Sequence, residues 1–238
     1  MIDINCDVGE GLQNESIVMP FISSCNIACG AHAGNVETID KVIKLAMENN
    51  VKIGAHPSFP DKENFGRKIM KISNEELQDS VEAQLKLFKE RAALQNAAVH
   101  HVKPHGALYN LIAVNEEKAR VVANAMLKVF KEAKLYVPYN SAIEKIAKKK
   151  KIKIVYEAFA DRNYNDNLTL VSRALPYAVI TDKEKVLKHV KRISEQSLVR
   201  TVQDNKKVIK AVTFCVHGDN ANAVDILRYL HKHINFNN

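Results

Sequence analysis

Histidine and carboxylate residues recur beside glycine at the ends of apolar runs in this sequence. The run that begins at Ile2 ends at Asp7, Gly9 and Glu10. Later runs end in the same manner at four histidines, which are His32, His56, His105 and His217. Ligands of α/β proteins bind at the carboxyl ends of parallel strands, where loops direct side chains into one crevice. We therefore expect these residues to meet in one pocket.

Two carboxyl groups, those of Asp7 and Glu10, follow the first of these runs. Paired carboxylates can share general acid and base work when their surroundings separate their pKa values, or they can bind a metal. Asp7 with His32 and His56 would make a divalent-metal site of one carboxylate and two imidazoles. No HxxxH or HExxH spacing accompanies these residues, so each histidine could instead be a structural hydrogen-bonding residue.

The segment VKPHGALYN, residues 102–110, carries Lys103 and His105 on either side of Pro104. A desolvated lysine can stabilise a developing oxyanion, and a histidine with a pKa of about 6.5 can transfer protons near neutrality. Arginines can bind a carboxylate through two parallel hydrogen bonds, although each could equally pair with a structural acid. Further candidates of these kinds are Arg67, Asp161, Arg162, Arg173, His217 and Asp219.

Seven short runs of β-forming residues must position these side chains. They are residues 2–6, 26–29, 51–55, 99–102, 135–137, 152–156 and 208–216. Helical patterns separate them, which is typical of parallel βαβ units in an α/β fold. We favour an incomplete β/α barrel over a doubly wound open parallel sheet, because an open sheet concentrates polar residues at one switch point and this chain has them after nearly every strand.

Apolar residues at helical spacing predict the intervening helices. The stripe of the first is Val36, Ile39, Ile43 and Met47. A later helix opens with Ser73 and Glu76, which have the spacing of a capping box. Residues 161–180 show no helical period and are long for a loop, so we expect a hairpin or a lid there.

The composition is that of an ordinary globular protein, with 46% hydrophobic and 26% charged residues among 238. No linker or repeat divides the chain, so we expect a single barrel domain over residues 1–238. The net charge of +8 comes mostly from dispersed lysines, and the one block, residues 148–151, ends a predicted helix. We therefore expect no nucleic-acid partner.

The remaining features concern location and redox chemistry. The N-terminus lacks a basic segment leading into an apolar stretch, and no apolar run approaches the length of a membrane span, so we expect a cytoplasmic protein without a membrane partner. The four cysteines have no metal-binding or redox spacing and are expected to be small buried thiols.

The ordered motifs INCDVGEG, CNIACGAHAG, IGAHPSFPD with FGR, VKPHGALYN, FADRNY and CVHGDN resemble the LamB/YcsF family. The resemblance extends from Ile2 to about Val224 and covers nearly the whole chain. It implies an irregular seven-stranded β/α barrel of the TIM-like, glycoside hydrolase/deacetylase type. It also implies ATP-dependent hydrolytic opening of the cyclic amide 5-oxo-L-proline to L-glutamate, in a 5-oxoprolinase complex with partner subunits B and C.

The polar positions of the family motifs divide into two expected groups in this chain. We assign catalytic roles to Asp7, Glu10, Lys103, His105, Asp161 and His217. We assign substrate binding to His32, His56, Arg67, Arg162 and Asp219. The sequence departs from the usual motifs at Ala31, Asn167, Ser172 and Tyr177, and these changes affect pocket walls and the possible lid.

An unstrained lactam requires coupling to ATP for ring opening, yet the chain has no Gly-x-x-x-x-Gly-Lys-Ser/Thr phosphate-binding loop. We therefore expect ATP to be used by or with the partner subunits. Two other functions remain open from the sequence. One is a stand-alone metal-dependent amidohydrolase or deacetylase, and the other is a non-catalytic module that binds a small acid or a carbohydrate.

Overall fold

The computed structural model describes residues 2–234. Its strands, numbered in chain order, are β1 Asp3–Val8, β2 Ser24–Ala28, β3 Lys52–His56, β4 Val99–Val102, β5 Lys134–Pro138, β6 Ile154–Phe159, β7 Leu198–Arg200, β8 Lys206–Val208 and β9 Thr213–Val216. Its α-helices are α1 Glu15–Val18, α2 Val36–Glu48, α3 Asn74–Leu94, α4 Gly106–Val114, α5 Glu116–Val129, α6 Ala142–Lys149, α7 Lys183–Gln196 and α8 Ala223–His233. A short 3₁₀ helix, Met19–Phe21, follows α1.

Seven parallel strands close into a barrel in the order β1-β2-β3-β4-β5-β6-β9. The ring closes because β9 pairs with β6 on one side and with β1 on the other, where Asn5 lies opposite Cys215. The barrel is irregular, since the register between β3 and β4 shifts between Ile53 and Gly54. The predicted barrel is thus confirmed, and the alternative of an open sheet is wrong.

The last predicted strand, residues 208–216, begins at the final residue of β8 and ends with β9, and residues 209–212 belong to neither strand. β8 pairs with β7 in an antiparallel two-stranded sheet outside the barrel, whereas β9 completes the barrel. The residues between them include Val212, which is half exposed. The run looked continuous because Val208, the connecting residues 209–212 and β9 are mostly apolar or β-branched. The run is divided because β8 belongs to the outer two-stranded sheet and β9 to the barrel.

Helix α4 was missed because the segment GALYNLIAV is apolar almost throughout and shows no amphipathic period. The stripe expected on α2 is only half right. Ile39 and Ile43 are fully buried, but Val36 and Met47 lie in the first and last turns and are 41% and 43% exposed. The expected capping box of α3 is confirmed in both of its hydrogen bonds.

The segment 161–180, expected to form a hairpin or lid, contains only two isolated antiparallel bridges, Arg162 with Val179 and Tyr164 with Leu170. It crosses the barrel mouth, where residues 170–174 line a cavity. All four cysteines are free and buried, as expected. Within residues 2–234, no helix combines the length and apolar character needed to cross a bilayer.

Candidate active site

A cavity of about 290 Å³ lies at the carboxyl ends of the barrel strands. The polar residues lining it come from distant parts of the chain, and they include Asp7, His56, Arg67, Lys103, His105, Arg162, Arg173 and His217. The ends of β1, β3, β4, β6 and β9, with the segments that follow them, therefore direct side chains to a common mouth. Glu10 and His32 lie beside this cavity rather than on its lining, and Asp161 and Asp219 reach it through the side chains that they contact.

Lys103 lies inside the barrel in a cage of acceptors and is only 2% exposed. Its Nζ lies 2.8 Å from Asp7 Oδ1, 3.1 Å from Glu157 Oε1 and 3.3 Å from Asn5 Oδ1. Burial would lower the pKa of Lys103, but the charges of Asp7 and Glu157 hold that pKa well above its usual value. The ammonium group is therefore a fixed cation that compensates two buried carboxylates.

Cys215 shares this cage, with its Sγ 3.0 Å from Lys103 Nζ. Burial and the neighbouring Asp7 raise the pKa of the thiol well above its usual value, although Lys103 opposes them. Side chains of Asp7, Cys215 and His217 come within metal-ligating range of one another. Because the ammonium of Lys103 already contacts two of these three residues, a second cation there would meet direct repulsion.

His217 is oriented by a buried carboxylate. Asp161 Oδ1 lies 2.8 Å from His217 Nδ1, and Asp161 Oδ2 accepts from the backbone N–H of His217 and the side-chain amide of Asn220. Burial would raise the pKa of Asp161, but the contacts with His217 and Asn220 lower it. An ionised Asp161 holds the Nδ1–H tautomer of His217, whose imidazole also stacks on Phe159. His217 Nε2 is then the ring nitrogen available at the cavity that this residue lines.

Two arginines flank a carboxylate at the cavity mouth. Arg67 donates to Asp219 Oδ2 over 2.6 Å, and Arg173 reaches both oxygens of Asp219 at 3.1 and 3.3 Å. This group of two arginines and one aspartate carries one excess positive charge. Arg162 instead donates to the carbonyls of Ala178 and Val171, so its guanidinium holds the 161–180 segment while also lining the cavity.

A second cluster lies next to Asp7. Potential ligand atoms of Glu10, His32, His56 and His105 are all within 4.8 Å of one another. Burial lowers the pKa of His32 to about 4 and also lowers that of His105. The metal set expected from the sequence, Asp7 with His32 and His56, stays a prediction, and Asp7 Oδ2 lies 3.5 Å from His56 Nε2. The structure also groups both histidines with Glu10 and His105, while Asp7 Oδ1 contacts Lys103.

Three polar residues around the site were not recognised in the sequence. Asn26 Nδ2 donates to Asp7 Oδ1 over 2.7 Å, and Asn26 Oδ1 lies 2.7 Å from His101 Nε2. Ser58 Oγ lies 3.0 Å from His32 Nδ1. A usable signal was present, since polar residues two apart, such as His101 and Lys103, face the same side of a strand. In a barrel that side is the interior.

The LamB/YcsF family model matches residues 2–238. The chain belongs to the LamB/YcsF family. A family relative from Pyrococcus abyssi, named as the A subunit of 5-oxoprolinase, is 40% identical over 238 residues, which cover 97% of this chain and 92% of the relative. The similarity therefore covers nearly the whole of both chains.

Solved structures agree with the barrel. The lactam utilization protein from Thermus thermophilus is 31% identical, covers 98% of this chain and 96% of its own, and superimposes with a TM-score of 0.89. A GH113 β-1,4-mannanase covers 98% of this chain and 100% of its own at 11% identity and a TM-score of 0.54. The second likeness shows the fold alone.

Proposed function

We propose that this chain is the lactam-opening component of a 5-oxoprolinase and converts 5-oxo-L-proline to L-glutamate with ATP and partner subunits B and C. The observation that carries the proposal is the pairing of His217 with buried Asp161 at a cavity whose mouth carries excess positive charge. The names of the Pyrococcus relative and the Thermus neighbour support the same substrate class.

The substrate is a five-membered lactam with one carboxylate. A cavity of about 290 Å³ has room for such a molecule. In our proposal Arg67 and Arg173 bind the carboxylate at the mouth, since their guanidinium groups have further N–H donors beyond those used on Asp219. The lactam carbonyl then points inward, toward His217 and the Asp7 carboxylate.

Acid and base roles follow from the surroundings of each group. His217 Nε2 takes a proton from the attacking water, and Asp161 stabilises the imidazolium that forms. Asp7 stays ionised despite its burial, because its Oδ1 accepts from the ammonium of Lys103 and from the amide of Asn26. Asp7 is then the acceptor that orients water, whereas the hydrogen-bonding groups of Lys103 are already engaged within the barrel.

ATP enters through the partner subunits in this scheme. A partner transfers the γ-phosphoryl group to the lactam oxygen, which makes the carbonyl carbon a better electrophile. Water adds to that carbon, the carbon–nitrogen bond breaks, and the nitrogen keeps the electron pair and takes a proton from His217. The resulting acyl phosphate reacts with a second water, which releases phosphate and glutamate.

The test is an omission assay with purified components. Glutamate is measured after mixing this chain with subunits B and C, 5-oxo-L-proline, ATP and Mg²⁺, and each component is then left out in turn. We expect glutamate only from the complete mixture, and no product when His217→Ala replaces the wild-type chain. Asp204→Asn, a change at the exposed turn of the outer two-stranded sheet, is the matched control and should retain activity.

A second function is favoured by one observation, the Glu10 and histidine cluster. A stand-alone metal-dependent amidohydrolase would hydrolyse an amide without ATP or partners. Glutamate formation by this chain alone would therefore replace the 5-oxoprolinase proposal with that function. Tight binding of 5-oxo-L-proline without turnover in the complete mixture would point to a binding module instead.

A further inference from the structure

Three histidines beside the cavity each use one ring nitrogen on an acceptor outside their cluster. His56 Nδ1 lies 2.6 Å from the carbonyl oxygen of Lys103, and His105 Nε2 lies 2.9 Å from that of Phe65. A carbonyl oxygen only accepts hydrogen bonds, so each of these nitrogens carries its proton. The opposite ring nitrogens, His56 Nε2 and His105 Nδ1, therefore have lone pairs in the neutral rings.

His32 is constrained in the same way through Ser58. The hydroxyl of Ser58 donates to the Phe59 carbonyl over 2.7 Å, so its oxygen accepts from His32 Nδ1 at 3.0 Å. His32 Nδ1 thus holds the proton, and His32 Nε2 has a lone pair. That lone pair lies 2.9 Å from an oxygen of Glu10.

Four acceptor atoms consequently converge with no donor among them. His105 Nδ1 lies 3.0 Å from His56 Nε2 and 3.2 Å from Glu10 Oε1, which itself lies 3.8 Å from His56 Nε2. Lone pairs at these separations repel one another unless a positive charge lies between them. Protonation of both His32 and His105 would be unfavourable, because the two rings stack in parallel at 3.8 Å and are almost completely buried.

We propose that Glu10, His32, His56 and His105 bind one divalent transition-metal ion of the zinc class. A tetrahedral ion with bonds of about 2.0–2.1 Å separates its ligand atoms by roughly 3.3 Å, and the four separations given above run from 2.9 to 3.8 Å. Three imidazoles and one carboxylate suit zinc, and outward N–H donation to carbonyl or hydroxyl oxygens is the usual way in which metal-binding histidines are oriented.

This inference goes beyond the proposed function, because it rests on ligand geometry and holds whether or not ring opening requires ATP. It also assigns Ser58 a positioning role that a purely structural serine would not have. If Ser58 orients His32 for a metal, its loss should weaken metal binding and leave the fold unchanged.

The experiment measures metal on the isolated full-length chain, independently of activity. The protein is stripped with a chelator, titrated with ZnCl₂ by calorimetry, and its bound zinc is counted by mass spectrometry. We expect one equivalent for the wild type, binding weakened roughly 100-fold or more in His32→Ala and Glu10→Gln, and about tenfold in Ser58→Ala. His233→Ala, which removes an exposed histidine of α8, should bind as the wild type does.

Circular dichroism and thermal unfolding of each metal-free variant show whether it is folded. If His32→Ala is unfolded, the test uses Glu10→Gln, in which the new side chain is nearly equal in size to the wild-type one. No zinc binding by the folded wild type would overturn the inference. Equal binding by the wild type and the folded Glu10→Gln variant would also overturn it. Because no activity is measured, failure here would leave the omission assay with the partner subunits unaffected.

Discussion

The imidazole of His101 lies in the space that a side chain at position 54 would occupy. A Cβ on Gly54 would be 2.1 Å from His101 Nε2, far inside contact distance. His101 in turn lies 2.7 Å from Asn26, which donates to Asp7. The absence of a side chain at Gly54 therefore leaves room for the buried His101, which contacts Asn26 next to Asp7.

Gly54→Ala is expected to destabilise the protein by about 1–3 kcal/mol or more, since the ring must leave its place in a packed interior. Urea denaturation measures the change in the free energy of unfolding. His101→Ala alone opens a cavity, but the double variant should lose less stability than the sum of the two single changes. Simple additivity would show that the two residues do not compete for the same space.

Asp161→Asn should lower glutamate formation by roughly 10²–10⁴-fold in the complete 5-oxoprolinase mixture. The amide no longer stabilises the imidazolium of His217 and can present an N–H to Nδ1, which favours the wrong tautomer. Steady-state kinetics with 5-oxo-L-proline are the measurement, and binding of 5-oxo-L-proline should change little. Unchanged kcat in this variant would exclude His217 as the base.

Arg173→Lys should raise KM for 5-oxo-L-proline about tenfold while kcat changes little, because lysine keeps the positive charge but cannot form the bidentate hydrogen bonds of a guanidinium group. Arg120→Lys, at an exposed position of α5, is the matched control and should have wild-type kinetics. A fall in kcat with an unchanged KM would place Arg173 in the chemical step rather than in carboxylate binding.

Lys103→Met should cost about 3–5 kcal/mol of stability, because it leaves the buried carboxylates of Asp7 and Glu157 without their cation. Lys128→Met is the matched control. Lys128 pairs with Glu82 from a side chain that is 56% exposed, and such pairs contribute about 1 kcal/mol or less. Guanidinium denaturation measures the free energy of unfolding of both variants. Equal losses of unfolding free energy would show that Lys103 stabilises the fold no more than an exposed ion pair does.

Acid should remove the stabilisation provided by Asp161. Its pKa is lowered in the folded protein, so its contribution is fully present above its unfolded value of about 3.9 and is lost as pH falls through the lower folded value. The difference in unfolding free energy between wild type and Asp161→Asn should therefore be widest at neutral pH and narrow below about pH 4. A difference that grows on acidification would contradict this sign.

Much of the site was predictable because its signals are local. Polar residues beside glycine at strand ends indicated Asp7, His56 and His105 directly. The contacts between site residues that are distant in the sequence were not predictable. His217 meets Asp161 from 56 positions away, and Lys103 meets Cys215 from 112 positions away, so nothing in either neighbourhood indicates the contact.

The sequence by itself determined the class of fold, the strand ends that carry the chemistry and the capping of α3, since strand alternation, helical period and turn chemistry act over a few residues. Only the tertiary structure decided that Lys103 lies between Asp7 and Glu157, that Glu10 lies in one cluster with His32, His56 and His105, and that β9 completes the ring. Those outcomes depend on strand order and register around a closed barrel, which set the level at which each inward side chain lies.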